Sequence, residues 1–328
     1  RGAPHRIIAL DSARKLGAKI LVAGGGRCNV THDVVDETAY AGSSRNAIRK
    51  VLGRFTVTDT VQFFKDQGVE LKREATGKLF PTTDNAHSVL NALLSAAREA
   101  GVEFRHSYRV ECIEHADVGF LITPSPAPQL PVLDPHPSIL ARRIILATGG
   151  QSLPKSGSDG HGYALAKSLG HTITRTLPAL VPLTLSQSLF LTQLSGITLP
   201  ATLELRSSTG KRLVSFTDST LLTHFGLSGP GVLDISRYYL DAAPAAQPLI
   251  NLLPHHTPAT LDSALLTAAR STPNLSISRF LADHGKPPLP ERLARALCEH
   301  TSLDPALPLH KLNRDTRRNL IAAATELP

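Results

Sequence analysis

Short apolar runs that end in a carboxylate or in glycine recur in the first half of the chain. Residues 7–10 are followed by Asp11, residues 19–22 run into three glycines, and residues 143–147 lead to two more. Apolar runs of about four to eight residues bounded by turn residues are typical of buried strands in α/β sheets. We therefore predict three strands here, with both glycine segments at the carboxyl edge of one sheet.

Between residues 22 and 143, the apolar residues recur first at helical spacing and then in the alternating pattern of strands. Apolar residues at helical spacing predict one helix that begins at Thr58 and ends at Gly68, and a second that follows Asp84 and ends at Gly101. Three alternating segments, residues 102–106, 108–115 and 119–123, then predict a small antiparallel meander. The proline-rich residues 124–137 predict a surface loop.

A change in composition divides the chain near residues 177–182. Beyond residue 186 the pattern is first strand-like, as in residues 198–206, and then helical from Pro258 to Leu327. The 328 residues also exceed the ~100–200 that one domain usually takes. We predict two domains, residues 1–185 and residues 186–328.

The positive charge of the chain is uneven. The formal net charge is +8, and residues 1–55 contribute +6 of it, with ten Lys or Arg against four Asp or Glu. Such a basic field suits phosphate-bearing partners, either a dinucleotide or RNA, while an ordinary basic surface is an equally good interpretation. The sequence also begins at Arg1 and contains no methionine, which favours a fragment or a trimmed product.

Cysteine usage and hydropathy predict the compartment. Cys28, Cys112 and Cys298 are far apart and fit neither a disulfide framework nor a CxxC metal site. A run of about 18 apolar residues and a signal-peptide pattern are both absent from the sequence. We therefore expect a cytoplasmic protein that has neither a membrane partner nor a metal.

The GxGxxG, P-loop, nucleophile-elbow and HExxH motifs are all absent from the sequence. The first glycine segment, which follows an apolar run, is therefore the first candidate for a binding site. Gly24, Gly25 and Gly26 permit a left-handed backbone and close approach of a ligand. Arg27 and Asn29 can supply hydrogen bonds to that ligand. A plain turn between a strand and a loop is the alternative interpretation.

Two further positions fit a dinucleotide bound in the crevice of an α/β sheet. Asp11 closes a predicted strand, where a carboxylate commonly accepts hydrogen bonds from an adenosine ribose; a solvated cap is the alternative. Residues 147–150 follow another predicted strand, and glycines at that end of a strand keep the crevice open. Residues 157–162 then lead into a helix N-terminus, which suits anions.

Cys28 and His224 are the candidate catalytic residues. Cys28 lies inside the first glycine segment, although a free cysteine is usually a small buried hydrophobe. His224 lies among turn-forming residues, where a histidine beside Phe225 more often has a structural role. The histidines show no metal-ligand spacing, so we assign no metal ligands.

Taken together, these segments resemble the BaiN/RdsA family of NAD(P)/FAD-dependent oxidoreductases. The resemblance rests on six ordered blocks: KILVAGGGRCNVTH from residue 19, GKLFP from 77, ATGGQSLPKSGS from 147, GH at 170, PALVPL from 178 and THFGLSGP from 223. It implies an α/β fold with an FAD/NAD(P)-binding Rossmann-like core of the glutathione-reductase type, incomplete here. It also implies an inserted domain, β-rich and then helical.

The resemblance further implies the cofactors and the reaction. FAD would be the cofactor and NAD(P)H its reductant, and reduced flavin would saturate an activated carbon–carbon double bond in an enone-like small molecule or in the uracil of RNA. Asp11 would bind the adenosine ribose, and Val110 would face the adenine. The remaining implied contacts to the cofactor are Gly25, Gly26, Arg27, Cys28 and Asn29 near the flavin, and Ala147, Thr148, Gly149 and Gly150 along its length.

Two departures from the family pattern leave alternatives open. Family members begin with a strand and a glycine-rich turn before the strand at residues 7–10, and they return to the flavin core after the insert. Here five residues precede Arg6, and the sequence stops at Pro328, so we expect residues 1–328 alone not to retain FAD. The alternatives are an RNA-binding module derived from a flavoprotein, for which 5% aromatic residues provide few stacking platforms, and an inactive fragment.

Overall fold

The computed structural model describes residues 5–125, 137–242 and 244–328, and the chain divides into two compact units, Arg1–Arg175 and Thr176–Pro328. The sequence places this division after residue 185. The strand Leu183–Thr184 pairs with Gly226–Ser228, so residues ahead of the predicted boundary already belong to the sheet of the second unit. Most of the predicted loop at 124–137 lies outside the described residues.

The first unit combines short strands with helices. Its strands are β1 (Ile7–Leu10), β2 (Thr31–His32), β3 (Leu71–Arg73), β4 (Lys78–Pro81), β5 (Val102–Arg105), β6 (Val110–Ala116), β7 (Gly119–Pro124) and β8 (Ile139–Ala141). Its helices are α1 (Ala18–Val22), α2 (Arg45–Leu52), α3 (Val57–Asp66), α4 (Ala86–Glu99) and α5 (His161–Ser168). β1 and β5 form a parallel pair, and the antiparallel sheets are ordered β2-β4-β3 and β6-β7-β8.

The prediction of a strand at residues 19–22 is wrong, because these residues lie in helix α1. The backbone N–H of Leu21 donates to the carbonyl of Gly17 at 3.0 Å, which closes a helical turn. Ile20 and Leu21 then pack against the small core of the unit. A four-residue apolar run is compatible with either a buried strand or a buried helix, and here the tertiary packing decides.

The prediction of a strand at residues 143–147 is also wrong. These residues have an irregular backbone, and the Ile145 side chain is 91% exposed. A strand needs a neighbour for its backbone hydrogen bonds, and among the described residues none pairs with this segment. Residues 19–22 and 143–147 therefore do not form the predicted sheet edge, at which the sequence places both glycine segments.

The meander is confirmed in part. β6 and β7 pair antiparallel as predicted, and β8 completes the sheet. Residues 102–106 do not belong to it, because β5 pairs in parallel with β1 instead. This pairing joins segments almost a hundred residues apart, and their periodicity alone contains no information about it.

The two predicted helices of the first unit are confirmed as α3 and α4. The N-cap of α3 is Thr56 rather than Thr58. The Thr56 side chain accepts a hydrogen bond from the Asp59 backbone N–H, and the Asp59 carboxylate accepts one from the Thr56 backbone N–H. This reciprocal capping satisfies two backbone donors that the first turn would otherwise leave free. α4 begins after the N-cap Asn85 and turns one apolar stripe inward.

The buried core of the first unit is small. One cluster consists of Cys28, Phe64, Val69, Ala86, Val89 and Ala92, and other buried side chains, among them Phe80, Tyr108 and Ile122, lie outside this cluster. Cys28 belongs to the first glycine segment, so that segment is packed directly on α3 and α4. The candidate site of this unit therefore rests on a limited amount of buried apolar surface.

The second unit is an antiparallel sheet covered by helices, as the sequence predicts. Its strands are β9 (Leu183–Thr184), β10 (Thr198–Ser207), β11 (Arg212–Thr223), β12 (Gly226–Ser228) and β13 (Ala246–Asn251), in the order β13-β10-β11-β12-β9. Its helices are α6 (Pro230–Ala242), α7 (Pro258–Ser271), α8 (Ile277–His284), α9 (Glu291–His300) and α10 (Arg314–Thr325). Its core is extensive and includes the fully buried Phe280, Leu293 and Cys298. Across the described residues, no helix is long and apolar enough to cross a membrane.

Candidate functional site

The first glycine segment is an exposed left-handed turn that directly follows α1. Gly24, Gly25 and Gly26 have φ values of +58°, +69° and +86°. A Cβ atom at Gly24 would lie 2.8 Å from the ring of Phe80 and 2.9 Å from the backbone nitrogen of Asn29, so only glycine fits there. A Cβ atom at Gly25 would meet no atom within 4 Å, which leaves its outer side free for a ligand.

Arg27 fastens this turn to the neighbouring sheet. Its Nη1 binds Glu74 Oε1 at 2.5 Å and lies 3.6 Å from Asp84 Oδ1, and its guanidinium lies over the ring of Phe80. The hydrogen bond that Arg27 donates to Glu74 raises the pKa of Arg27 above its already high value, so the guanidinium is always charged. The guanidinium is thus engaged with protein groups, and Glu74 and Phe80 are partners that sequence analysis missed because they lie about fifty residues away.

Cys28 is held in an unusual backbone conformation inside the core. Its φ is +63°, a left-handed value that is uncommon for a residue with a side chain, and it is only 6% exposed. Its N–H donates to the carbonyl of Ala23 at 3.0 Å, which closes the turn. Burial raises the pKa of the thiol, so the side chain is protonated at neutral pH.

The second glycine segment, residues 147–150, is exposed for most of its length and packs against the turn that precedes α5. Gly149 has a φ of +73°, and a Cβ atom there would lie 3.1 Å from Ser158 Oγ. The Gly150 carbonyl accepts from the Gly160 backbone at 3.1 Å, and Thr148 approaches Gly162 so closely that a Cβ atom would collide with it. Glycine at these positions thus allows residues 147–150 to lie along the start of α5.

Lys19 joins the two glycine segments. Its Nζ binds Ser152 Oγ and lies 3.3 Å from Ser158 Oγ, and Ser158 is the residue against which Gly149 packs. α1 runs directly from Lys19 into the first glycine turn, so this contact links the start of α1 to the residues that follow the second glycine segment, without the predicted strands.

Asp11 lies at the end of β1, beside the turn that precedes α5. Its backbone N–H donates to the Arg105 carbonyl at 3.0 Å, which extends the parallel pair, and its Oδ1 accepts from the Ala13 backbone at 2.7 Å. Its Oδ2 makes no hydrogen bond to the described residues. The adjacent Ser12 Oγ lies 3.9 Å from the position of a Cβ atom on Gly157. Asp11 therefore caps a strand and retains a free carboxylate oxygen.

Val110 begins β6 and is tied to the start of α5. His161 Nε2 lies 3.0 Å from the Val110 carbonyl, to which it can donate, and Arg109 Nη1 binds Asp159 Oδ2 at 2.9 Å. Asp159 also accepts from the His161 backbone N–H, and this bond together with Arg109 lowers the pKa of its carboxyl. Arg109 and Asp159 thus fix β6 against residues 147–162.

The predicted site residues of the first unit are therefore linked by contacts, whereas His224 belongs to the second unit. It lies in the tight turn between β11 and β12, is exposed, and its ring centroid is 5.1 Å from that of Phe225. Its predicted catalytic role stays a prediction. Among the described residues, no group of three or more His, Cys, Asp or Glu side chains is arranged to hold a metal ion.

Comparison with known proteins identifies relatives over nearly the whole chain. The sequence model described as "HI0933-like protein Rossmann domain" matches residues 2–285. The chain is 30% identical over 326 residues to the ribosomal RNA dihydrouridine synthase of Escherichia coli (strain K12), which covers 99% of this chain and 75% of that protein. It is 29% identical over 325 residues to the 3-dehydro-bile acid delta(4,6)-reductase of Clostridium scindens, covering 98% and 75%.

A second ribosomal RNA dihydrouridine synthase, from Haemophilus influenzae, is 30% identical over 280 residues, which is 84% of this chain and 64% of that protein. The names of these relatives describe two kinds of reduction on two unlike substrates. The similarity therefore concerns the oxidoreductase core that they share.

Proposed function

The chain belongs to the HI0933-like Rossmann family, and from that premise we propose that its two glycine segments hold FAD and that the protein reduces uracil in ribosomal RNA. The family is one of flavin-dependent oxidoreductases. The observation that carries the location of the site is the contact of both Lys19 and Gly149 with Ser158, which joins two exposed glycine segments of one unit.

The residues present fit the parts of a dinucleotide. The free oxygen of Asp11 can accept from a ribose hydroxyl, and Val110 begins the strand beside it and would face the adenine. The open side of Gly25, followed by Gly26, Arg27, Cys28 and Asn29, leaves room for the flat flavin ring. Lys19 supplies positive charge between this turn and the backbone of Ala147, Thr148, Gly149 and Gly150, where the diphosphate would run.

The reaction needs a hydride and a proton at the two carbons of the double bond. FAD held by these residues would supply hydride chemistry to the substrate, with NAD(P)H as the reductant. The chain itself must position the substrate, exclude water and supply the proton. A protonated Cys28 thiol can donate a proton but is a poor nucleophile.

An rRNA substrate is favoured over a small enone by the charge of the first unit. Residues 1–175 contain 22 Lys or Arg and 16 Asp or Glu, a net +6, and residues 176–328 contain 13 and 11, a net +2. A positive field attracts a polyanion and offers little to an uncharged enone. An RNA substrate also implies that the enzyme works in the cytoplasm, where ribosomes are made.

The natural full-length protein provides the test. We expect the purified protein to show flavin absorbance that is bleached by NADH or NADPH under anaerobic conditions. Addition of rRNA that contains uridine should reoxidise the flavin, and mass spectrometry of the RNA should show that one uridine has gained two hydrogen atoms. Reoxidation by a steroid enone alone would favour the small-molecule alternative. RNA binding without any flavin would contradict the proposal and favour a non-catalytic RNA-binding module.

A further inference from the structure

Helix α2 is an exposed helix that buries only one narrow side. It begins after Ser44, whose hydroxyl accepts from the Ala47 backbone, and none of its residues is fully buried. Ile48 and Leu52, four residues apart, are half-buried, so they form the side that faces the protein. The rest of α2 and the turn after it are open to solvent and are not part of the glycine-segment site.

Two basic and two apolar residues are exposed together at the end of α2. α2 ends at Leu52 and the chain continues through a turn, in which the Arg54 N–H donates to the Val51 carbonyl at 3.1 Å and the Phe55 N–H donates to the Leu52 carbonyl at 3.4 Å. Lys50, Val51, Arg54 and Phe55 therefore lie within the end of α2 and the turn that follows it, and all four are exposed. Val51 is 71% exposed and Phe55 is 57% exposed, although both are apolar.

The charges of this surface are available to an outside partner. Arg49 is paired with Glu37, but Lys50 and Arg54 make no ion pair with any described residue. Tyr40, which is 49% exposed, directly follows the short turn Glu37–Ala39 that Arg49 binds. A second exposed aromatic ring thus lies next to the segment that packs on α2.

We propose that Lys50, Arg54, Phe55 and Tyr40, here called the α2 surface, bind a single-stranded segment of RNA. The two cations would bind phosphates, and a base would stack on the ring of Phe55. Exposed aromatic rings among unpaired basic residues are the combination that single-stranded nucleic acids recognise. The inference rests on the proposed function and assigns the surface that holds the RNA while one uridine enters the flavin site.

A membrane surface is the competing partner for a basic segment with exposed apolar residues. A helix that lies in a lipid interface needs a continuous apolar face. In α2 the continuous apolar side, Ile48 and Leu52, already faces the protein, and the outward apolar residues are only Val51 and Phe55. The arrangement therefore favours a nucleic acid.

The test measures binding of a fluorescent single-stranded oligouridylate by the natural full-length protein over a series of salt concentrations. The double variant Lys50→Gln/Arg54→Gln should lower the slope of log Kd against log salt by about 1.4, because each lost phosphate contact lowers this slope by about 0.7. Phe55→Leu should weaken binding by about fivefold or more, and Phe55→Tyr should retain it, because the ring is kept. The matched control is Lys211→Gln with Arg212→Gln, an exposed basic pair of the second unit, which should leave binding unchanged.

Reduction of free uridine is measured on the same variants and should not change, since no hydrogen bond or ion pair between described residues joins the side chains of the α2 surface to the glycine segments. The inference is overturned if the wild-type protein does not bind RNA, if the control pair weakens binding as much as the α2 variants do, or if Phe55→Leu binds normally. It is also overturned if acidic lipid vesicles compete for the α2 surface more strongly than RNA. Loss of flavin reduction with normal RNA binding would instead contradict only the proposed function.

Discussion

The guanidinium of Arg27 lies over the ring of Phe80, with its Cζ atom 4.1 Å from the ring centroid. Phe80 belongs to β4, and the Cβ position of Gly24 is also in contact with this ring. One aromatic side chain thus holds the first glycine turn at both of its ends. The conformation of the turn depends on this stack as much as on its glycines.

We expect Arg27→Lys to weaken flavin retention by about tenfold, because lysine keeps the charge but loses the planar stack and the forked donor geometry. Retention is measured as flavin absorbance after desalting. Arg279→Lys is the control, since Arg279 makes an exposed ion pair with Asp283 in α8. Equal retention in the two variants would show that Arg27 does not support the cofactor.

The cysteines should react with iodoacetamide in a fixed order. Cys112 is half-buried, Cys28 is buried, and Cys298 is fully buried with its pKa raised to about 12. A raised pKa leaves less thiolate at any pH below it, so Cys28 should react slowly near pH 8 and faster as the pH rises, whereas the fully buried Cys298 is also out of reach of the reagent. Peptide mass spectrometry should find Cys112 modified first, then Cys28, with Cys298 modified only on unfolding.

A Cys28 that reacts faster than Cys112 would contradict this order. It would show a thiolate in place of the protonated thiol, and Cys28 would then be a nucleophile rather than a proton donor.

The two units should differ in stability. The second unit has one extensive cluster of buried residues, whereas the cluster around Cys28, Phe64 and Val89 in the first unit is small. We expect hydrogen exchange on heating to begin in α4 before α9. Excess FAD at about a hundred times its Kd should stabilise the first unit by about 2.7 kcal/mol and leave the second unchanged. Equal protection of α4 and α9, or stabilisation of α9 alone, would contradict this expectation.

Sequence reasoning succeeds where local patterns decide the structure. Helix α4 and strand β10 each bury one face, so their apolar residues recur at helical spacing and at every second position, respectively. This periodicity alone predicts both elements. The left-handed backbone of Gly24, Gly25 and Gly26 is also anticipated, because glycine tolerates positive φ values that other residues avoid.

Sequence reasoning fails where a distant partner decides the structure. Residues 19–22 are helical because they pack on α4, and residues 143–147 are irregular because no described strand lies beside them. The partners of the site residues follow the same rule. Arg27 meets Glu74 and Lys19 meets Ser158 only in the folded unit, and neither pair has a signature in the sequence.

Two glycines with the same backbone geometry allow the central claim to be tested. Gly25 and Gly101 have φ values of +69° and +77°, and a Cβ atom at either would meet no atom within 4 Å. Alanine at either position should therefore cost a similar backbone strain of about 1–2 kcal/mol. Only Gly25 borders the proposed cofactor site, since Gly101 lies between α4 and β5.

The decisive measurement is the flavin retained after desalting by the natural full-length protein and by its Gly25→Ala and Gly101→Ala variants, with the melting temperature of each. The account predicts similar decreases in melting temperature for the two variants without FAD, normal flavin retention in Gly101→Ala, and loss of flavin in Gly25→Ala. Equal flavin retention by both variants would contradict the placement of FAD on the first glycine segment.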